Sequence, residues 1–188
     1  MQADTSALAG RLANLGYAGL FQNVHTHDLD ALWNEAGVPN TLAALAADRH
    51  APMGARFLAA EILRRKSRSA SPDEARPELA GVYATALAEN TTGTANAWGL
   101  PGLFDGALAQ HLIAFGDAAV PALVPLLDDA RRVHYAGSQE ATFANAHAYR
   151  VKDVAAWYLG RIAHRPVDLV GDPPQRDAAI EALKRSFK

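Results

Sequence analysis

Cysteine is absent from the 188 residues, which excludes disulfides, thiolate metal sites, iron–sulfur clusters and cysteine nucleophiles while leaving the redox compartment open. A charge excess is missing too. The formal net charge of −2 gives the chain no global attraction to nucleic acid or to an anionic membrane. No stretch approaches the roughly 20 apolar residues that span a bilayer, and MQADTSALAG has neither the basic start nor the apolar core of a signal peptide. A soluble chain is expected: cytoplasmic or, if a signal peptide has been replaced by the start codon, periplasmic or exported. P-loop, dinucleotide and EF-hand signatures are also lacking, and no Gly-x-Ser-x-Gly elbow surrounds Ser138. Asn90-Thr91-Thr92 matches the glycosylation sequon, which short sequences meet by chance.

The chain does have apolar content, 49% of its residues, enough for one sizeable domain or a short helical array. Its apolar residues recur with helical period. In YRVKDVAAWYLGRI, residues 149–162, Val151, Val154, Ala155, Tyr158, Leu159 and Ile162 fall at three- and four-residue spacing. In chain order, a first helix is predicted from Asp4 or Thr5 to about Leu15, stopped by a left-handed Gly16, with Tyr17 to His27 irregular. A short helix capped by Thr26 or Asp28 ends at Gly37 and Pro39. Thr41 to Asp48 and a helix opened by Pro52 form a helical hairpin ending in Arg64, Arg65, Lys66 and Arg68, read as a solvated face. Ser67 to Arg76 is a polar linker. Glu78 to Ala88 is helical, Asn90 to Pro101 is a loop pinned by Trp98, and Asp105 caps a helix to Phe115. Asp117 caps a further helix, 118–129, that Pro125 bends. Ala130 to Ala148 is long for a connection, so it is either a functional insertion or carries a short helix from about Gln139 to Ala146. Pro166 to Pro174 is a loop, and Asp177 opens the last helix.

Two segments are alike. NTLAALAADRHAPMGARFLAAEIL and PALVPLLDDA with YRVKDVAAWYL superimpose Leu42, Leu45 and Asp48 on Leu123, Leu126 and Asp129, then Leu58, Ala59, Ala60, Ile62 and Leu63 on Val154, Ala155, Ala156, Tyr158 and Leu159. Asp48 to Ala59 is 11 positions and Asp129 to Ala155 is 26, so the second unit carries 15 additional residues. The pattern resembles the HEAT-repeat family: a proline-bearing first helix, an aspartate at its end, then a second helix with a basic residue, an Ala-Ala pair and a Leu-Gly end. The small pair lets neighbouring helices approach closely.

The resemblance implies an all-α fold, a short HEAT-like α-solenoid of antiparallel helical pairs with an N-terminal helical cap. The whole of 1–188 is then one domain with repeat-like units at about 40–66, 78–115 and 117–163 and a C-terminal helix at 177–187. It also implies an interaction scaffold more often than an enzyme. The di-iron hydroxylases of this fold use His-Glu dipeptides, and no His here is followed by Glu. The alkylpurine glycosylases of this fold need a basic groove, which the slightly acidic balance does not favour.

The expected function is therefore a non-catalytic binding module for another protein or a peptide, with no cofactor and nucleic acid disfavoured as a partner. Its working surface is the second-helix face with the 130–149 insertion. The residues chosen for it are Tyr135, Ser138, Gln139, Glu140, His147, Tyr149, Arg150, Lys152, Asp153 and Trp98. The bland reading of the same insertion has Tyr135, Phe143 and Tyr149 as anchors onto its own repeat, and Lys152 and Asp153 as solvated or bridging charges. The alternative class is a small metal-dependent or hydrolytic enzyme. It would use the insertion's polar residues or the cluster of His25, His27 and Asp28, in which an extended backbone points both imidazoles to one side.

Overall fold

The structure, a computed structural model, describes residues 4–21, 26–66, 77–92, 95–136 and 139–187. The chain is mostly helical and divides into two compact units, Met1–Val82 and Tyr83–Lys188. Among the described residues no single helix is long and apolar enough to cross a membrane. The polar stretch 67–76 lies outside the described residues.

The first unit holds α1 (Thr5–Phe21), α2 (Thr26–Asn34), α3 (Val38–Ala47) and α4 (Met53–Lys66). Gly16 does interrupt α1, at φ 61°, ψ −179°, but helix resumes through Phe21. Residues 17–21 are thus not irregular: Leu20 is buried at 3% exposure, and Tyr17 packs its ring 5.4 Å from that of Phe57; residues 22–25 lie outside the described residues. Gly37, left-handed at φ 83°, does not follow a stop so much as precede a start, because Pro39 lies in the first turn of α3. Leu12, Leu42, Leu45, Phe57 and Ile62 form the buried centre. The basic end of α4 is engaged within the unit. Arg65 donates to Leu20 O at 2.6 Å, and Lys66 pairs with Asp30.

The division falls within α5 (Leu79–Glu89). The second unit continues through a 3₁₀ turn at Ala95–Trp98, a hairpin of β1 (Gly99–Leu100) and β2 (Phe104–Asp105), α6 (Ala107–Ala114) and a composite helix in which α7 (Val120–Leu123) lies between 3₁₀ turns at Gly116–Ala119 and Val124–Asp128. Then come α8 (Gln139–His147), α9 (Val151–Ile162) and α10 (Pro173–Arg185). Pro125 acts by tightening the helix, since winding switches to 3₁₀ at Val124. Neither Asp105 nor Asp117 caps a helix by its side chain. Asp105 instead receives Arg161 at 2.8 Å. The last helix starts earlier than predicted: Asp172 caps it, accepting from Gln175 N at 2.9 Å while Gln175 Oε1 takes the Asp172 N–H. Leu108, Leu112, Leu123, Leu127, Val154, Tyr158, Leu159 and Ile180 are buried here.

The hairpin is a feature that helical periodicity does not announce. Leu100-Pro101-Gly102-Leu103 closes it, with Leu103 N donating to Leu100 O at 2.9 Å and Gly102 at φ 78°, the residue pattern of a type II turn. Gly99 is required by space as well as by its φ of 85°: a Cβ there would lie 2.3 Å from Gly106 N and 2.5 Å from Phe104 O.

Candidate functional site

The insertion leaves Asp129 and returns at Arg150, and its two ends are tied together. Arg132 and Arg150 form an antiparallel bridge. Val133 N donates to Tyr149 O at 2.8 Å, and Val151 N to Arg131 O at 2.9 Å. Within it, the Asn145 carboxamide clasps the Tyr135 backbone both ways, accepting from its N–H at 3.1 Å and donating to its carbonyl at 2.9 Å.

Three buried phenols then fix the hairpin segment. Tyr158 Oη donates to Trp98 O, Tyr135 Oη to Gly99 O at 3.1 Å, and Tyr149 Oη to Pro101 O at 3.4 Å. Each places a buried phenol donor on a backbone carbonyl, as buried polar groups require. Burial raises all three phenol pKa values, most strongly at Tyr158 and Tyr135; for Tyr149 the neighbouring Arg176 guanidinium pulls the other way. Trp98 and Tyr149 are each 1% exposed and Tyr135 5%. Of the residues predicted to meet a partner, these therefore lie beneath the surface, as anchors.

A charge network adjoins them. Asp153, fully buried, occupies the N3 position of α9, where a carboxylate reaches back to the helix start. Its Oδ2 accepts from Arg150 N at 2.8 Å and Arg150 Nε at 2.9 Å, and its Oδ1 from Arg150 Nη2 at 2.9 Å. Arg176 Nε stands 3.4 Å from the same Oδ1. Asp177 closes the outer side, 2.8 Å from Arg150 and 2.7 Å from Lys152. The hydrogen bond from Arg150, and then that from Lys152, hold the Asp177 carboxyl below its ordinary value, while the Asp153 hydrogen bond raises Arg150. The bridging reading thus applies to Lys152 and Asp153, and the solvated reading fails for Asp153.

His147 joins this network to the surface. Ala148 turns the chain in the left-handed region at φ 51°, and the rings of His147 and Tyr149 stack 5.7 Å apart at 11°. The Phe143 ring centroid lies 3.9 Å from that of His147, but Phe143 is 40% exposed, so it covers the histidine without being an anchor. His147 Nδ1 is 2.9 Å from Phe143 O, an acceptor, so that nitrogen carries the proton. Arg176 places its guanidinium 5.0 Å from the Tyr149 ring and donates Nη2 to His147 O at 2.9 Å. A pocket of about 330 Å³ opens here, lined by Ala146, His147, Val170, Gly171, Asp172, Pro173 and Arg176.

Ser138 lies outside the described residues, and Gln139 and Glu140 form the first turn of α8. His25 also lies outside them, while residues 27 and 28 fall in the first turn of α2, so the backbone from Thr26 through residue 28 is helical where an extended segment was assumed. Among the described residues no group of three or more His, Asp or Glu side chains is placed to hold a metal ion. The sequon residue Asn90 is buried and donates its Nδ2 to Ala86 O at 2.7 Å.

Sequence reasoning passed over Arg176, Val170 and the hairpin tip, and took Asp177 only as the start of the last helix. The signal for Arg176 and Asp177 was the Asp172-Pro-Pro-Gln175 capping box, which puts both in the first turns of α10. Comparison with family models, with curated proteins and with solved structures finds no match.

Proposed function

We propose that this chain is a non-catalytic binding module for a protein or peptide, built as a short HEAT-like helical array, and that its working surface is the outer edge of the second unit. The observation that carries the reading is an apolar rim. Phe143, Val170, Leu103 and Phe104 are 40%, 64%, 57% and 38% exposed. They are linked in space: Phe143 covers His147, His147 and Val170 line one pocket, and Val170 Cγ2 approaches the Gly102 position to 3.9 Å beside Leu103. Large apolar groups gathered at a surface with a polar surround are the usual mark of a contact site.

The HEAT-like part of the proposal draws support from equivalent detail in the two segments. Asp48 and Asp129 both end their first helix in extended conformation, at ψ 107° and 100°. Each accepts through Oδ1 the amide two residues on, His50 N at 2.9 Å and Arg131 N at 3.0 Å. The matched second-helix positions Leu58, Ala59, Ala60, Ile62, Leu63 and Val154, Ala155, Ala156, Tyr158, Leu159 are all buried. One matched pair differs, because burial falls on Leu127 rather than Leu126.

The buried groups favour recognition over proton transfer: the phenols stay protonated, and the network carboxylates stay paired with guanidinium. Deleting the insertion would remove Val133, Tyr135 and Ala144 from the core, so the test uses surface substitutions instead. Affinity capture with the protein and with a Leu103→Ser, Phe143→Ser, Val170→Ser variant should show partners lost while the circular dichroism spectrum is unchanged. An unchanged partner set from the folded variant would refute this surface.

A further inference from the structure

We propose that the pocket between the end of α8 and the start of α10 takes the C-terminal carboxylate of a partner peptide whose last side chain is apolar, with Arg176 as its charge partner; this rests on the binding-module reading above. The donor inventory of the pocket points there. The start of α10 has nothing to offer an anion: positions 173 and 174 are prolines without N–H, Gln175 N is taken by the Asp172 carboxylate, and Arg176 N by Asp172 O. The guanidinium of Arg176 is different. Its side chain is 1% exposed, yet it lines the pocket, and of its donors only Nη2 is hydrogen-bonded among the described residues, to His147 O. Nε has no hydrogen-bond partner, the Asp153 oxygen being 3.4 Å away. With Nε buried against Asp153 and Nη2 on His147 O, Nη1 is the guanidinium nitrogen left for a ligand, and a charged N–H on a pocket wall matches a carboxylate.

The surrounding charges balance: Asp153, Asp177 and Asp172 stand with Arg150, Lys152 and Arg176, three anions to three cations. The Asp172 carboxylate is turned to its cap bond with Gln175 N, and Arg176 is the one cation on the pocket wall among the described residues. The apolar side chain follows from the mouth, where Val170 is 64% exposed and Ala146 and Pro173 complete the wall. A free terminus at the pocket would let the preceding peptide run over the Phe143 and Leu103 rim, which an internal acidic side chain would not require.

The test is an amide-resonance titration of the full chain with N-acetylated pentapeptides ending in leucine, valine or phenylalanine, each as the free acid and as the C-terminal amide, alongside N-acetyl-leucine. The free acids should shift His147, Gly171 and Arg176 saturably, with the amides at least tenfold weaker. Val170→Glu, which sets a like charge at the mouth without touching the core, should weaken the acids by a similar factor. Equal binding of acid and amide, or no shift with any peptide, overturns the carboxylate assignment. N-acetyl-leucine binding as tightly as the peptides overturns the peptide source in favour of a small free acid. Loss of partners in the rim variant together with equal acid and amide binding would leave the surface standing and remove only this inference.

Discussion

Asp153 is wholly shielded from solvent with both oxygens facing guanidinium groups, so removing it leaves the buried Arg176 without a counter-ion and Arg150 with Asp177 alone. Asp153→Ala is expected to destabilise the fold by about 3 kcal/mol or more, read by urea denaturation. Tyr158→Phe and Tyr135→Phe each strip one donor from a hairpin carbonyl and should cost about 1–2 kcal/mol apiece in the same assay. Asp177 contributes to the acid limb, as do Asp129 and Glu35, whose carboxyls are also lowered by paired arginines. The Asp177 carboxyl is lowered in the folded state from the ordinary 3.8, so the folded chain binds that proton less readily than the unfolded one. Its contribution is therefore complete above the ordinary value and drains away as pH falls through it and below. Thermal midpoints of the wild type and Asp177→Asn should differ by a constant amount near neutral pH and converge in acid; a gap that persists at the lowest pH would contradict this. Much of this was out of reach by pattern. Asp153 was visible as a helix-start carboxylate, but its burial depends on Arg176, 23 positions further on, and nothing about an alanine at 148 declares a left-handed turn.

At the scale of elements, helix periodicity was a good guide wherever one face packs against a neighbour. Here α3, α4, α8 and α9 come within a few residues of their expected bounds. It did less well where local hydrogen bonding decides. The Asp105 side chain was expected to cap α6, yet the hairpin places it on β2 and Arg161 takes its carboxylate. The Leu-Pro-Gly-Leu turn could have been read from its residue types. The close approach at Gly99 could not, since it depends on Gly106 passing 2.3 Å from where a Cβ would stand. Gly99→Ala combines that overlap with a left-handed φ and should lose at least about 2 kcal/mol. A melting curve matching the wild type would show that the hairpin yields and does not rigidly position the tip.

For the whole molecule, the insertion and the segments around it divide into buried and exposed groups. Trp98, Tyr135, Tyr149 and Asp153, chosen from sequence for their chemistry, serve the inside. His147, Phe143, Val170, Leu103 and Phe104 make the outside. Polar and aromatic content drew attention to the insertion, but it could not separate buried from exposed groups, because that separation is set by which hydroxyls find the carbonyls of Trp98 and Gly99, 60 and 36 positions away. The account as a whole stands on the outer edge of the second unit being where a partner sits. Hydrogen–deuterium exchange on the captured complex measures that directly. Protection is predicted at residues 102–104, 143–147 and 170–176, and protection confined to residues 5–66 with those segments unchanged would contradict it.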